Sequence, residues 1–126
     1  MKMIAALIGL LVCISVSGLA QDAKKGKLLH VVSFKFKETA SKEQIKQVED
    51  AFRDLKKKIP QIAEYEWGTN NSPENKNKGC THAFILTFKS EKDRDAYLPH
   101  PAHKEFGQLV GPLLDDVFVI DYWAHE

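Results

Sequence analysis

Cysteine is nearly absent from this chain: only Cys13 and Cys80 occur among 126 residues. Cys13 lies in the one long apolar run, so the remainder has no partner for Cys80 within the chain. A disulfide-stapled fold is thereby excluded, and the domain must be held by its core or by a second subunit. A chain this short buries a limited core, which favours an oligomer. Charge of one sign is missing as well, with 18 Lys and Arg against 17 Asp and Glu. The electrostatic footprint expected for nucleic acid or an anionic membrane surface is absent. The only run of like charge, Lys56-Lys57-Lys58, falls where a helix is expected to end, and cations suit that end of the macrodipole. Repeats and linkers are lacking too, which points to a single domain over 28–126.

Long apolar runs are limited to the beginning, MKMIAALIGLLVCISVSGLA. Lys2 leads, an apolar core extends from Ile4 to Val16, and Gly18-Leu19-Ala20 closes it with small residues. The pattern is that of a signal peptide over 1–20, cleaved after Ala20. The core is shorter than the ~20 residues a membrane span needs. Gly9-Leu10-Leu11-Val12 lacks the small residues expected ahead of a lipidated cysteine. The expectation is therefore a secreted or periplasmic protein without membrane contact after cleavage. Residues 21–27, polar and lysine-rich, read as a disordered leader.

What is present is strong periodicity. Residues 28–37, LLHVVSFKFK, alternate Leu28, His30, Val32, Phe34 and Phe36 against Leu29, Val31, Ser33 and Lys35, as a strand does. Ser41 and Gln44 form a capping-box start, and Ile45, Val48, Phe52, Leu55 and Ile59 follow at helical spacing up to Pro60. Residues 62–68 read as a second strand, with Ala63, Tyr65 and Trp67 on one side. Residues 69–79 are a turn-rich loop. Residues 80–89 form a third strand, with His82, Phe84, Leu86 and Phe88 on one face. Ser90 caps a short helix that carries Tyr97 and ends at Pro99. Pro101 opens another, with an apolar stripe of Ala102, Phe106, Leu109 and Val110, broken by Gly111-Pro112. Residues 116–123 are the last strand.

This order predicts an α+β fold: a ferredoxin-like split β-α-β unit with a four-stranded antiparallel sheet and helices on one face. Both strand faces are apolar, however, so the second face needs a cover from outside the chain. A second copy related by a two-fold axis supplies it. The predicted assembly is a homodimer in which two sheets form one barrel-like core.

The histidines carry what chemistry there is. His30 and His82 sit on the phenylalanine-rich faces of neighbouring antiparallel strands, at opposite ends, and so in two environments. His103 flanks the inward stripe of its helix, and Tyr97 lies close across the tight 99–101 turn. His100 sits at the turn, pointing outward or capping the helix. Each histidine taken alone reads more readily as a hydrogen-bonded core residue than as a catalyst, and Tyr97 as a packing residue. Their number on the inner layer favours a pocket. An imidazole beside a phenol is a proton-transfer pair, and desolvation favours the neutral imidazole that a base requires. Phe34, Phe84 and Trp67, beside these histidines, are the candidate apolar walls. Zinc needs three or four converging ligands, and Pro101 separates His100 from the helix of His103, so no metal site is expected. Cys80 has no paired base for nucleophilic work.

The segments LLHVVSFKFK, YEWG, GCTHAFILTF and DAYLPHPAHKEFG together resemble the stress-responsive A/B barrel (Dabb) family, over about residues 28–125. The H-P-x-H segment followed by Phe and Gly is the most specific part. The resemblance implies a dimeric α+β barrel. It also implies roles taken from a plant polyketide cyclase of that family, which closes its substrate by aldol condensation. His103 stands at the position of its general base, Tyr97 at that of the partner tyrosine, and His30 and His82 at two further pocket histidines. The histidine would remove a proton between carbonyls while the tyrosine hydrogen-bonds the substrate and the histidine, with no cofactor. The signal peptide departs from that enzyme and argues against an intracellular polyketide thioester as ligand. The expectation is a small carbonyl-bearing ligand, bound for cyclase- or lyase-like chemistry; the alternative is a non-catalytic stress or binding module whose histidines are structural.

Overall fold

Alternating apolar residues place β1 at Leu28–Phe36, and a reciprocal capping box starts α1 at Lys42–Lys58. The Ser41 hydroxyl accepts from the Gln44 amide at 3.1 Å, and the Gln44 side chain accepts from the Ser41 amide at 2.9 Å. Val48, Phe52 and Leu55 make the buried stripe of α1, and Lys56, Lys57 and Lys58 occupy its last turn. β2 (Glu64–Thr69) and β3 (His82–Phe88) follow. Ser90 caps α2 (Glu91–Tyr97), and α3 (Pro101–Val110) leads through a short 3-10 turn into β4 (Leu114–Trp123). The computed structural model describes residues 26–126. The expected signal peptide, and the leader up to residue 25, lie outside the described residues. Lys27 is tied to the end of the chain: the Ala124 amide donates to its carbonyl at 2.9 Å. No helix among the described residues is long and apolar enough to cross a membrane.

The four strands form one antiparallel sheet in the order β2-β3-β1-β4, the ferredoxin-like arrangement expected from the element order. The helices pack on the face that carries Leu28, Val32 and Phe34 of β1 with Phe84, Leu86 and Phe88 of β3. Rings fill the layer between. Phe52 of α1 stacks on Phe84 at 4.3 Å and 15°, and meets Phe106 of α3 at 4.7 Å. The stripe of α3 is narrower than its sequence suggests. Phe106 and Val110 are buried, whereas Leu109 is exposed.

The opposite face has no helix over it among the described residues. Leu29 pairs with Tyr122, Val31 with Ile120 and Ser33 with Phe118 across β1 and β4. Phe118, Ile120 and Tyr122 remain 55%, 49% and 45% exposed. Val117 and Val119, on the helix side of β4, are also exposed. α2 reaches β4 through Arg94 to Asp121 and Glu91 to Trp123.

Candidate functional site

One residue from each strand lines up across the helix-facing side of the sheet. Tyr65 of β2 pairs with Leu86 of β3, Leu86 with His30 of β1, and His30 with Asp121 of β4. α2 lays Tyr97 over this row. The Tyr97 ring lies 5.7 Å from the His30 ring and 5.3 Å from that of Phe88. α3 adds His103 on the other side of the phenol, 4.3 Å from it between ring centroids at 35°. Pro99 and Pro101 force the tight turn that sets α3 against α2, and His100 caps α3 by accepting from the Ala102 amide with Nδ1 at 3.0 Å. His100 is thus a helix cap, as its place at the turn suggests.

The hydrogen bonds fix where the protons sit. His103 Nδ1 faces the Leu98 carbonyl at 2.8 Å. A carbonyl only accepts, so Nδ1 carries the hydrogen and the neutral ring keeps its lone pair on Nε2. His30 Nδ1 lies 2.6 Å from Asp121 Oδ1, which again assigns the hydrogen to Nδ1. The second Asp121 oxygen accepts from Arg94 Nη1 at 3.0 Å, and Arg94 Nε donates to Asp95 at 2.9 Å. The bonds to Asp95 and Asp121 hold the Arg94 proton more tightly than usual. Tyr97 is 1% exposed. Burial, then the nearby Tyr65 and Asp121, push its ionisation well above the ordinary phenol range. Its hydroxyl is therefore a neutral donor.

A second histidine site lies at the far end of the sheet. His82 Nε2 faces Glu49 Oε1 of α1 at 2.9 Å, and its Nδ1 meets the Thr81 hydroxyl at 2.7 Å. Trp67 stacks parallel on the His82 ring at 6.0 Å and 5°. His30 and His82 therefore occupy separate environments, as the antiparallel pairing of their strands requires.

The structure brings Tyr97, His103 and His30 together and sets His82 and Trp67 apart. Phe34 and Phe84 are core residues, 3% and 0% exposed; their rings touch each other at 5.1 Å. They reach the surface of no described cavity. The Tyr97 hydroxyl makes no hydrogen bond to His103; the two rings meet at a tilt instead. A cavity of about 630 Å³ opens on the uncovered side of the sheet, lined by Ser33, Lys78, Cys80, His82, Ala83 and Phe118 among others. A smaller one of about 220 Å³ lies beside Gln61 and Asp93. Neither is lined by Tyr97, His103 or His30. Among the described residues no three His, Cys, Asp or Glu side chains converge as metal ligands. Asp121, Arg94, Glu49 and Tyr65 escaped sequence reasoning. For Asp121 a signal existed: strand alternation sets it opposite Phe118 and Ile120, and pairing β4 with β1 brings it to His30.

With this geometry in place, residues 28–124 match the model of the stress responsive A/B barrel domain. A stress-response A/B barrel domain-containing protein of Arabidopsis thaliana is 38% identical over 101 residues, 80% of this chain and 93% of that protein. Olivetolic acid cyclase of Cannabis sativa is 29% identical over 93 residues, 74% of this chain and 92% of the cyclase. Among solved structures, hydroxynitrile lyase from Passiflora edulis is similar with a TM-score of 0.76 at 29% identity, over 81% of this chain and 96% of the lyase. Further solved neighbours with the same ferredoxin-like fold are dimers, among them one from Bacteroides fragilis.

Proposed function

The chain belongs to the stress-responsive A/B barrel domain (Dabb) family, and from that membership we propose an exported homodimer that binds a small, apolar, carbonyl-bearing ligand. On it, Tyr97 and His103 perform cofactor-free acid–base chemistry of a cyclase or lyase kind. The observation that carries this reading is the close, tilted Tyr97–His103 ring pair, with the imidazole held through Nδ1 by the Leu98 carbonyl. That bond leaves Nε2 as the base. His103 takes a proton from carbon next to a carbonyl, the bonding electrons move onto the carbonyl oxygen, and Tyr97 donates a hydrogen bond to that oxygen. Returning the proton from His103 to the ligand closes the cycle. His30, fixed by Asp121, orients the ligand from the sheet side. Relatives that include a cyclase and a lyase support this chemistry. The sequence of residues 1–20 supports export. The uncovered apolar face, together with the dimeric state of solved neighbours, supports the homodimer.

The test is exchange of α-protons for deuterium in a panel of small aryl ketones, followed by NMR. The purified chain should accelerate exchange, and His103→Ala should lose that acceleration by about 10²–10⁴-fold while keeping its circular dichroism. No difference between wild type and a folded His103→Ala would refute the proposal. A second reading, a non-catalytic stress or binding module, draws on the same Leu98 bond and on the burial of Tyr97. It expects no exchange by either protein.

A further inference from the structure

Tyr65 is the unexplained residue of the inner layer. Its ring packs on Phe52 of α1 at 5.7 Å, and its backbone stands in the same row as His30 and Asp121. Its hydroxyl is shut off from solvent and has no hydrogen-bond partner among the described residues. A phenol hydroxyl in that state has lost its hydration and gained nothing in return. Phenylalanine would pack in the same place without that cost. The Tyr97 hydroxyl likewise makes no described hydrogen bond; the carboxylate near it, Asp121, is already engaged by His30 and Arg94, and the one near Tyr65, Glu49, by His82. Two hydroxyl donors therefore lie on the helix-facing side of one short row, without an acceptor among the described residues.

We infer that Tyr65 and Tyr97 together bind one oxygen of the ligand, so that Tyr65 is a second oxygen-holding residue of the site. The inference rests on the proposed chemistry at Tyr97 and His103 and narrows its ligand class. Two neutral donors directed at one oxygen favour an oxygen that gains negative charge, such as that of an enolisable ketone passing to its enolate, or a phenolate. Burial pushes the ionisation of Tyr65 and of Tyr97 upward, so both remain donors at neutral pH. Ionisation of one phenol would further oppose that of the other, which fits hydroxyls on one side of the sheet. The arrangement needs no acceptor within the chain, because the ligand supplies it.

The probe is 4-nitrophenol, whose phenolate form is coloured, titrated into the full chain above the pH at which it ionises. The expected result is saturable binding that weakens about tenfold in Tyr65→Phe and again in Tyr97→Phe, the scale of one hydrogen bond to a charged oxygen. Tyr65→Phe binding as tightly as wild type, with Tyr97→Phe weakened, would overturn the role of Tyr65 and leave the acid–base pair standing. Absence of binding by the wild type would overturn the shared oxygen site, while ketone exchange would still judge Tyr97 and His103 separately. A ligand-free measurement closes the remaining gap. Tyr65→Phe should melt at or above the wild-type temperature, since its hydroxyl is unbonded; a lower melting temperature would show a bond within the chain and overturn the inference.

Discussion

Replacing Asp121 with alanine tests the row at its most tightly bonded point. Asp121 accepts from His30 Nδ1 at 2.6 Å and from Arg94 Nη1 at 3.0 Å. The two losses are unequal. The His30 side chain is 7% exposed, so its Nδ1–H would be stranded away from water. Breaking a short bond to a carboxylate and stranding its donor costs about 1.5–3 kcal/mol. The Arg94 side chain is 22% exposed and keeps Asp95, so its share is below about 1 kcal/mol. The sum is about 2–3 kcal/mol, or a fall in melting temperature of roughly 10–20 °C for a domain of this size. Urea unfolding at one fixed protein concentration measures it. Asp121→Asn, which retains a carbonyl acceptor for His30, should lose less than half as much. A double-mutant cycle with His30→Leu should recover at least about 1 kcal/mol of coupling. A cost below about 0.5 kcal/mol for Asp121→Ala, the scale of an ordinary surface change, would show that His30 is not held by this carboxylate, and the orienting role given to it would fail.

Alkaline pH provides another test. Burial raises the ionisation of Tyr97 in the folded state, whereas an unfolded tyrosine ionises near pH 10. The folded state then binds the extra proton, so its advantage is complete below about pH 10 and is lost as pH rises further. Wild type should lose up to about 1.4 kcal/mol per pH unit more steeply than Tyr97→Phe in that range, and parallel melting curves would contradict the assignment. On the uncovered face, Ile120→Lys puts a charge amid Val31, Phe118 and Tyr122. Sedimentation should find the wild type dimeric and this variant monomeric at micromolar concentration; a dimeric variant would place the interface elsewhere.

Much of this architecture was legible because it depends on near neighbours in the chain. Ser41 and Gln44 reveal α1 through a bond spanning three residues, and His100 and Pro101 reveal the start of α3 in the same way. Alternation in β1 and β3 separates inner from outer residues, and with it the apolar face that lacks a cover. The partners of the histidines were less legible. Pairing His30 with Asp121 requires the register between strands 91 residues apart, and pairing His82 with Glu49 requires the seating of α1 on the sheet. Periodicity reports neither. Nor does it distinguish Phe84, sealed between Phe52 and Trp67, from a pocket wall. The unbonded hydroxyl of Tyr65 is a property of what surrounds it, and only three-dimensional packing reveals it.

The strand pleat has an evolutionary consequence. Even-numbered positions of β1 carry the chemistry and the core, at His30, Val32 and Phe34, while odd-numbered ones carry the outer face, at Leu29 and Val31. The two traits are written on alternate letters of the same word. A point substitution can therefore retune the ligand site while association goes unchanged, or the reverse, and selection can act on each alone. Insertion or deletion of one residue within the strand exchanges the letters and spoils both at once. Lineages of this domain should thus diversify by substitution within β1 and keep their changes of length to the loops.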